Sequence, residues 1–272
     1  MKSMKKRFAA GALAAVMAFC TFANATPVSA KSLTAKQYLT KMQKVIDKAK
    51  SYEVTQTIKM KGTTDGVTSE STQKSTEKVF LNPIKVKSVQ TVTTTGDGSD
   101  ASQKTVTYIV EDEDKNITAY IDLDGSGYME MDMTELYDTA SELESPMTSA
   151  KIVKKSEKVN KVDTVKISAK IKAKDIMSSM EALGISAEDM EAYGIDMSKM
   201  SPVKVTVWIN KKTYEPVKMV TDMKDFINEF MAILFEAMGM EDVTATYDTY
   251  KTTATYKNFN KVKDFKLPNF DE

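Results

Sequence analysis

Apolar and polar residues alternate with a period of two along much of the chain. For example, lysine and serine separate the apolar residues Val165, Ile167, Ala169 and Ile171. A strand points successive side chains to opposite faces, so this alternation is typical of a strand with one buried face. The alternation recurs within 52–60, 84–86, 106–110, 117–123, 129–133, 151–157, 203–209, 217–219 and 243–256. We therefore predict about eleven antiparallel strands.

Helical spacing precedes and interrupts the strands. Apolar residues between Leu33 and Ile46 recur every three or four positions, and Ser32 or Thr34 offers an N-cap. This pattern predicts a leading helix that runs to about Lys50. Helical insertions are predicted near 134–145, 174–200 and 224–239.

Residues 62–78 are rich in threonine, serine and lysine. We interpret them as a turn at Thr64–Gly66 followed by a polar edge strand, because lysine commonly protects sheet edges from mispairing. No low-complexity linker divides the chain. The prediction is therefore a single α+β domain at 31–272, built on a large, curved, unclosed antiparallel sheet.

A six-residue phrase is repeated in the second helical insertion, as MEALGI at 180–185 and MEAYGI at 190–195. A glycine followed by an apolar residue is typical of a left-handed helix stop. The insertion is thus predicted to form two or three short helices with bends at Gly184 and Gly194. Two interpretations stay open, because these helices either pack onto the sheet as core or form an adaptable apolar lid. The lid side chains would be Met180, Leu183, Met190 and Tyr193.

The more apolar face of the strands is expected to point inward, since an exposed row of such residues would leave a large apolar patch. The inward residues are predicted to be Met60, Met129, Met131, Met133, Val205, Val207, Ile209 and Met219. The helix at 224–239 is apolar on most of its surface. It is interpreted either as a core helix or as a helix that fills or gates a hollow, with Phe230 and Leu234 contributing to a ligand site.

The N-terminus has the pattern of a secretory signal peptide. Lys2 to Arg7 supply a basic region, and 8–22 is an uncharged, mostly apolar run that is short for a membrane span. Cleavage after Ala30 is favoured over cleavage after Ala25, which gives a signal peptide at 1–30. Lipidation of Cys20 is not expected, because the bulky Phe19 precedes it. The protein is predicted to be secreted, either free or associated with the cell envelope.

The amino-acid composition excludes several kinds of catalytic and metal-binding site. The sequence has no His and one Cys, and its 38 Lys and Arg balance 38 Asp and Glu. Removing 1–30 takes away four positive charges, which leaves 38 − 4 = 34 Lys against 38 acids, and takes away the only Arg and Cys. Disulfides, His/Cys metal sites and Cys or Ser–His catalysis are thereby excluded from the mature chain. We expect no enzyme activity, no metal, no cofactor and no nucleic-acid binding.

Two stretches near the C-terminus resemble a known group. VWINKKTYEPVKM at 207–219 is a strand–turn–strand pattern, and TYKNFNKVKDFKLP at 255–268 is a closing strand with its tail. Together with SYEVTQTIKMKG at 51–62 behind the leading helix, they resemble the LolA/LppX/RseB-like group, including its secreted Gram-positive relatives of unknown function. The sequence departs from the group at Asn210, where Asp is common, and lacks the arginine that some carriers use.

The resemblance implies an unclosed half-barrel with helices covering its concave face. Several members of the group carry lipids or acylated proteins in the hollow, but fold alone does not decide function. Two hypotheses follow. In the first, the protein is a non-enzymatic carrier of a lipid, acyl chain or other apolar ligand. In the second, it is a protein-interaction or envelope-sensing module with a filled, ligand-free core.

Overall fold

The structure is a computed structural model that describes residues 33–96, 100–141, 147–173, 175–176, 187–192, 194–240 and 243–270. The predicted signal peptide at 1–30, with Cys20, lies outside these residues.

The strands form a single antiparallel sheet, so the predicted α+β fold with a large unclosed sheet is confirmed. Its spatial order is β6-β5-β4-β3-β2-β1-β11-β10-β9-β8-β7, and the edge strands β6 and β7 do not pair with each other. The strands are β1 (Ser51–Thr64), β2 (Val67–Leu81), β3 (Ile84–Gly96), β4 (Ala101–Glu111), β5 (Ile117–Leu123), β6 (Tyr128–Asp132), β7 (Thr148–Val159), β8 (Val162–Ile171), β9 (Val203–Asn210), β10 (Pro216–Asp222) and β11 (Ala245–Lys257).

The strand order corrects one prediction. The polar segment within 62–78 belongs mostly to β2, which pairs with β1 on one side and β3 on the other, so it is not an edge strand. The polar composition of β2 has a different physical reason. One of its faces is exposed, and the other carries polar side chains into the interior.

Within the described residues, four helices accompany the sheet: α1 (Ala35–Ile46), α2 (Thr134–Ser141), α3 (Ala187–Ala192) and α4 (Lys224–Ala237). Thr34 caps α1 in a capping box with Gln37, in which Thr34 Oγ1 accepts from the Gln37 N–H at 3.3 Å and Gln37 Oε1 accepts from the Thr34 N–H at 2.9 Å. Helix α2 follows edge strand β6, and the chain then continues to the opposite edge at β7. None of the helices within the described ranges has the length and hydropathy needed to span a bilayer.

The sheet has an inner face, on which the helices and the hydrophobic core pack, and an outer face. Helix α1 buries Leu39, Met42 and Ile46 in the same core cluster as Val79 of β2 and Ile209 of β9. One core therefore joins strands from both halves of the sheet.

The chain after β11 packs on the outer face. The ring of Phe270 stacks on Tyr120 with centroids 3.7 Å apart, and Phe265 lies beside Tyr108 at 6.1 Å. Lys85 Nζ of β3 donates to the carbonyl of Phe265 at 2.7 Å. These contacts hold the C-terminal tail against the outside of β3, β4 and β5.

Candidate functional site: the inner face of the sheet

Strands β8, β9 and β10 supply an apolar surface, which we call the apolar floor. Its members alternate along their strands and lie opposite each other in register, as in the pairs Ile167–Val207 and Val207–Met219. Ile167 and Ile209 are 0% exposed. Burial confirms the predicted inward direction of Val205, Val207, Ile209 and Met219. Their role in ligand binding stays a prediction. The floor consists of Val165, Ile167, Ala169, Val203, Val205, Val207, Ile209 and Met219.

The methionine row near β6 is buried only in part. Met133 is buried and Met131 packs against the core, as the predicted strand phase requires. Met129 shares their face but is 37% exposed, so the prediction that it is covered is wrong. Its strand has five residues and lies at the edge of the sheet, where β5 is its one strand partner among the described residues.

Met60 lies on the same face of β1 as the buried Tyr52 and Val54, but nearer the end of the strand. It is paired with Ser71 of β2 and Tyr250 of β11 and is half-buried. Its predicted inward phase is consistent with this register. At this end the inner face is less well covered than at the floor.

The second copy of the repeated phrase ends α3 in the predicted way. Gly194 has a φ of 70°, its N–H donates to the Glu191 carbonyl at 2.8 Å, and the Ile195 N–H donates to the Met190 carbonyl at 2.9 Å. This pair of bonds is a Schellman motif, in which the apolar residue after the glycine packs back on the helix. Both Met190 and Ile195 are buried in the core. Met180, Leu183, Gly184 and Tyr193 lie outside the described residues.

A cavity of about 450 Å³ lies beside this turn. It is lined by Met190, Ile195 and Met197 on the apolar side and by polar residues such as Glu191 and Asp196. Its volume is within the range of about 300–1,000 Å³ that small-molecule sites occupy. Met190 is the predicted lid residue within the described part of the chain, and it lines this cavity.

Helix α4 is attached to the sheet by polar side chains. Asn228 makes two hydrogen bonds with the backbone of Tyr247 in β11, donating at 3.0 Å and accepting at 2.7 Å. The carboxylate of Glu229 accepts from the N–H and the hydroxyl of Ser201 at 2.5 and 2.6 Å. Glu229 therefore ties α4 to the segment that follows α3.

The apolar surface of α4 is only partly covered. Phe226 is the residue that its first turns bury, whereas Phe230 and Leu234 pack against the core while staying half-exposed. Met238, just beyond the helix, is exposed. The helix is thus not sunk into the core on most of its surface, and it borders the inner face as a half-covered apolar element.

Five polar residues lie on the inner face of β1 to β4 beside apolar ones such as Val79 and Val86, and sequence reasoning missed them. We call them the polar strip. Their register is continuous, because Gln56 pairs with Ser75 and Glu77 pairs with Ser88, which in turn pairs with Thr107. All five are buried. The signal was present in the sequence, since the apolar Val79 and Leu81 fix the phase of β2 and place Glu77 and Ser75 on the same face.

Glu77 is the most deeply buried member of the polar strip, at 2% exposed. Ser75 Oγ donates to Glu77 Oε1 at 3.2 Å, and Oε2 has no hydrogen-bond partner among the described residues. Burial disfavours the charged carboxylate and raises the pKa of Glu77 to about 7, while the Ser75 hydrogen bond opposes the shift. Burial also raises the pKa of Tyr256, which lies across β1 from Glu77.

Comparisons with known proteins add a structural likeness. No protein-family model matches the sequence, and a search of curated proteins finds no match. The crystal structure of the lipoprotein LppX from Mycobacterium tuberculosis is similar, with 16% identity over 84% of this chain and 95% of that chain and a TM-score of 0.45. A DUF1329 family protein from Desulfovibrio piger has 9% identity over 84% of this chain and 91% of that chain, with a TM-score of 0.24.

The inner face therefore offers burial and hydrogen bonding. Among the described residues no group of acidic side chains is arranged to hold a metal ion. The apolar floor is already out of contact with water, and each square ångström of its buried apolar surface contributes roughly 25 cal/mol to the stability of the fold. The polar strip can exchange hydrogen bonds through amide, hydroxyl and carboxyl groups.

Proposed function

We propose that this protein is a secreted, non-enzymatic binding protein that holds a lipid, acyl chain or other apolar molecule against the inner face of its half-barrel. The observation that carries the proposal is the apolar floor together with the methionine-lined cavity beside Gly194. Methionine is flexible and polarizable, so a Met190–Met197 wall can adapt to chains of different shape. The residues 174–200 would then act as a lid over the open side, with Gly184 and Gly194 as bends.

A second candidate is a protein-interaction or envelope-sensing module whose helices fill the hollow. It is favoured by one observation, which is that Met42 of α1 is 0% exposed and belongs to the same core cluster as the floor residues. A floor already covered by α1 would leave less room for a ligand. An acylated or envelope protein would be the partner in that case.

Native mass spectrometry, combined with lipid extraction of protein purified from its own host, tests the proposal. We expect a co-purifying apolar molecule whose mass disappears after extraction. The extracted protein should then bind N-phenyl-1-naphthylamine, a fluorescent apolar probe, in a saturable manner. Protein that carries no apolar molecule and binds no apolar probe would favour the second candidate.

The proposed location outside the cytoplasm has its own test. N-terminal sequencing of the protein from culture supernatant should begin at Lys31, because the favoured cleavage follows Val28-Ser29-Ala30. A start at Thr26 would move the cleavage to Ala25 and leave secretion in place. An acylated Cys20 at the N-terminus would instead make the protein a lipoprotein anchored to the envelope.

A further inference from the structure

The apolar floor and the polar strip meet in one row across the sheet. Val207 of β9 pairs with Met219, Met219 with Ala254, Ala254 with Gln56, and Gln56 with Ser75 of β2. Neighbouring strands lie about 4.8 Å apart, so this row spans roughly 19 Å over four strand spacings. One end of the row is hydrocarbon and the other end is amide and hydroxyl, which is the polarity profile of an amphiphile.

The polar end contains an unsatisfied group. A buried polar atom without a hydrogen bond costs about 1–3 kcal/mol. Glu77 Oε2 is such an atom among the described residues. A ligand that brings a hydrogen-bond donor would satisfy it.

The charges near the polar strip favour neutral head groups over anionic ones. By register, every lysine of β1 to β4 lies on the outer face, as Lys74 and Lys78 do on either side of Glu77. The strip itself has hydroxyl and amide groups and one carboxyl group. A phosphate or carboxylate head group would meet the Glu77 carboxyl with no lysine of β1 to β4 on the same face, whereas neutral hydroxyl groups can both donate and accept there.

We propose that Gln56, Ser75, Glu77, Ser88 and Thr107 form a subsite for the neutral, hydroxylated head group of an amphiphile whose chain lies on the apolar floor. This inference rests on the proposed function and names the class of its ligand, of which a monoacylglycerol is the simplest representative. The Glu77 carboxyl accepts from one head-group hydroxyl, and the hydroxyls of Ser88 and Thr107 supply further partners on the neighbouring strands.

Competition against N-phenyl-1-naphthylamine tests the subsite. Monopalmitoylglycerol, methyl palmitate and palmitate share one chain and differ in the head group. Wild-type protein should bind monopalmitoylglycerol about tenfold more tightly than the other two, which is the size of one well-made buried hydrogen bond. In Glu77→Leu this preference should vanish while probe affinity stays within about twofold, and in Glu77→Gln, which keeps a donor and an acceptor, it should largely persist.

Matched variants separate the subsite from general effects on folding. Glu70→Leu changes the same residue type on the outer face of the same strand and should leave the preference unchanged. If Glu77→Leu fails to fold, the double variant Ser88→Ala and Thr107→Val removes two hydroxyls from the subsite and should also lower the preference. A preference that survives these changes, or a wild type that binds the probe without preferring monopalmitoylglycerol, overturns the subsite and leaves the proposed function standing. A wild type that binds no apolar probe overturns both.

Discussion

The two halves of the inner face bury different kinds of side chain in the same sheet. Over β8 to β10 the buried residues are aliphatic, as Ile167 and Val207 are, and hydrophobic burial stabilises this half directly. Over β1 to β4 the polar residues Gln56, Ser75 and Glu77 are buried beside apolar residues such as Val79 and Val86. Buried polar groups contribute little net stability and cost free energy when unpaired. Hydrophobic burial therefore stabilises both halves, and the buried polar residues distinguish the second half from the first.

The largest expected effect tests the apolar half. Ile167→Ala removes a fully buried side chain from the floor and should lower the free energy of unfolding by about 3–4 kcal/mol, measured by urea denaturation. Lys170→Ala, on the exposed outer face of the same strand, is the control and should remain near wild type. Equal small effects at both positions would mean that burial in the floor does not stabilise the fold.

The pH dependence of stability tests the polar half. The folded-state pKa of Glu77, about 7, is raised above its ordinary value of 4.5, so folding favours the protonated form. This contribution to stability is present in full below the ordinary pKa and is lost as the pH rises through about 7. Between about pH 5 and about pH 8, the free energy of unfolding should fall by about 2 kcal/mol.

Glu77→Gln supplies the comparison for that measurement. The amide does not titrate, so the free energy of unfolding of the variant should not show this fall. The value for the variant minus the value for wild type should therefore increase from about pH 5 to about pH 8. Tyr256, the neighbouring titratable group, has a raised pKa and stays neutral throughout. Parallel stability curves for the two proteins would contradict the assignment of the pH dependence to Glu77.

How far the sequence predicted this division depends on the half. Val165, Ile167 and Ala169 alternate with charged or polar residues, so the period of two and the hydrophobicity point to the same face. In β2 the inward residues Ser75 and Glu77 are as polar as the outward ones. Hydrophobicity therefore does not show which face of this strand points inward. From composition alone, a polar strand that is paired on both sides cannot be distinguished from an exposed edge strand.

Prediction of the candidate site also succeeded in some parts and failed in others. The glycine stop at Gly194 was predictable, because a left-handed turn is encoded locally by glycine followed by isoleucine. The exposure of Met129 was not predictable from its alternation, since it depends on β6 being a short strand at the edge of the sheet. Local conformation was therefore predicted better than coverage by distant segments.

Gly194→Val sharpens the comparison at the boundary between stability and binding. A branched residue at a φ of 70° is strained by about 1 kcal/mol. Apart from its chain neighbours, no described residue has an atom within 4 Å of the position that a Cβ would take, so the cost lies in the backbone. Gly66→Val, at a φ of 82° in the β1–β2 turn with equally open surroundings, is the matched control. Both variants should lose similar stability, but only Gly194→Val should weaken binding of N-phenyl-1-naphthylamine. Equal probe affinity in the two variants would make the α3 turn a core element rather than part of a lid.

The smallest effect concerns polar residues of β1 and β2 outside the inner face. Lys61 and Glu70 form an ion pair at 2.7 Å with both side chains largely exposed. Solvent and salt screen such a pair, so Lys61→Ala should leave the urea midpoint unchanged within error. A marked loss of stability would indicate that polar residues stabilise these strands on their outer face, and the contrast between the two halves would then need revision.

The position of β1 and β11 in the strand order also has a kinetic consequence. Strands β1 to β6 and β7 to β11 each form by pairing neighbours in sequence, whereas β1 and β11 join the two groups near the middle of the sheet. Beside that seam, the Lys50 N–H donates to Asn260 across 210 residues of chain. Contacts between distant parts of a sequence form slowly, because loop-closure entropy is lost before they contribute stability. The polar strip and the apolar floor therefore become one continuous surface only at a late step, after β11 has paired with β1.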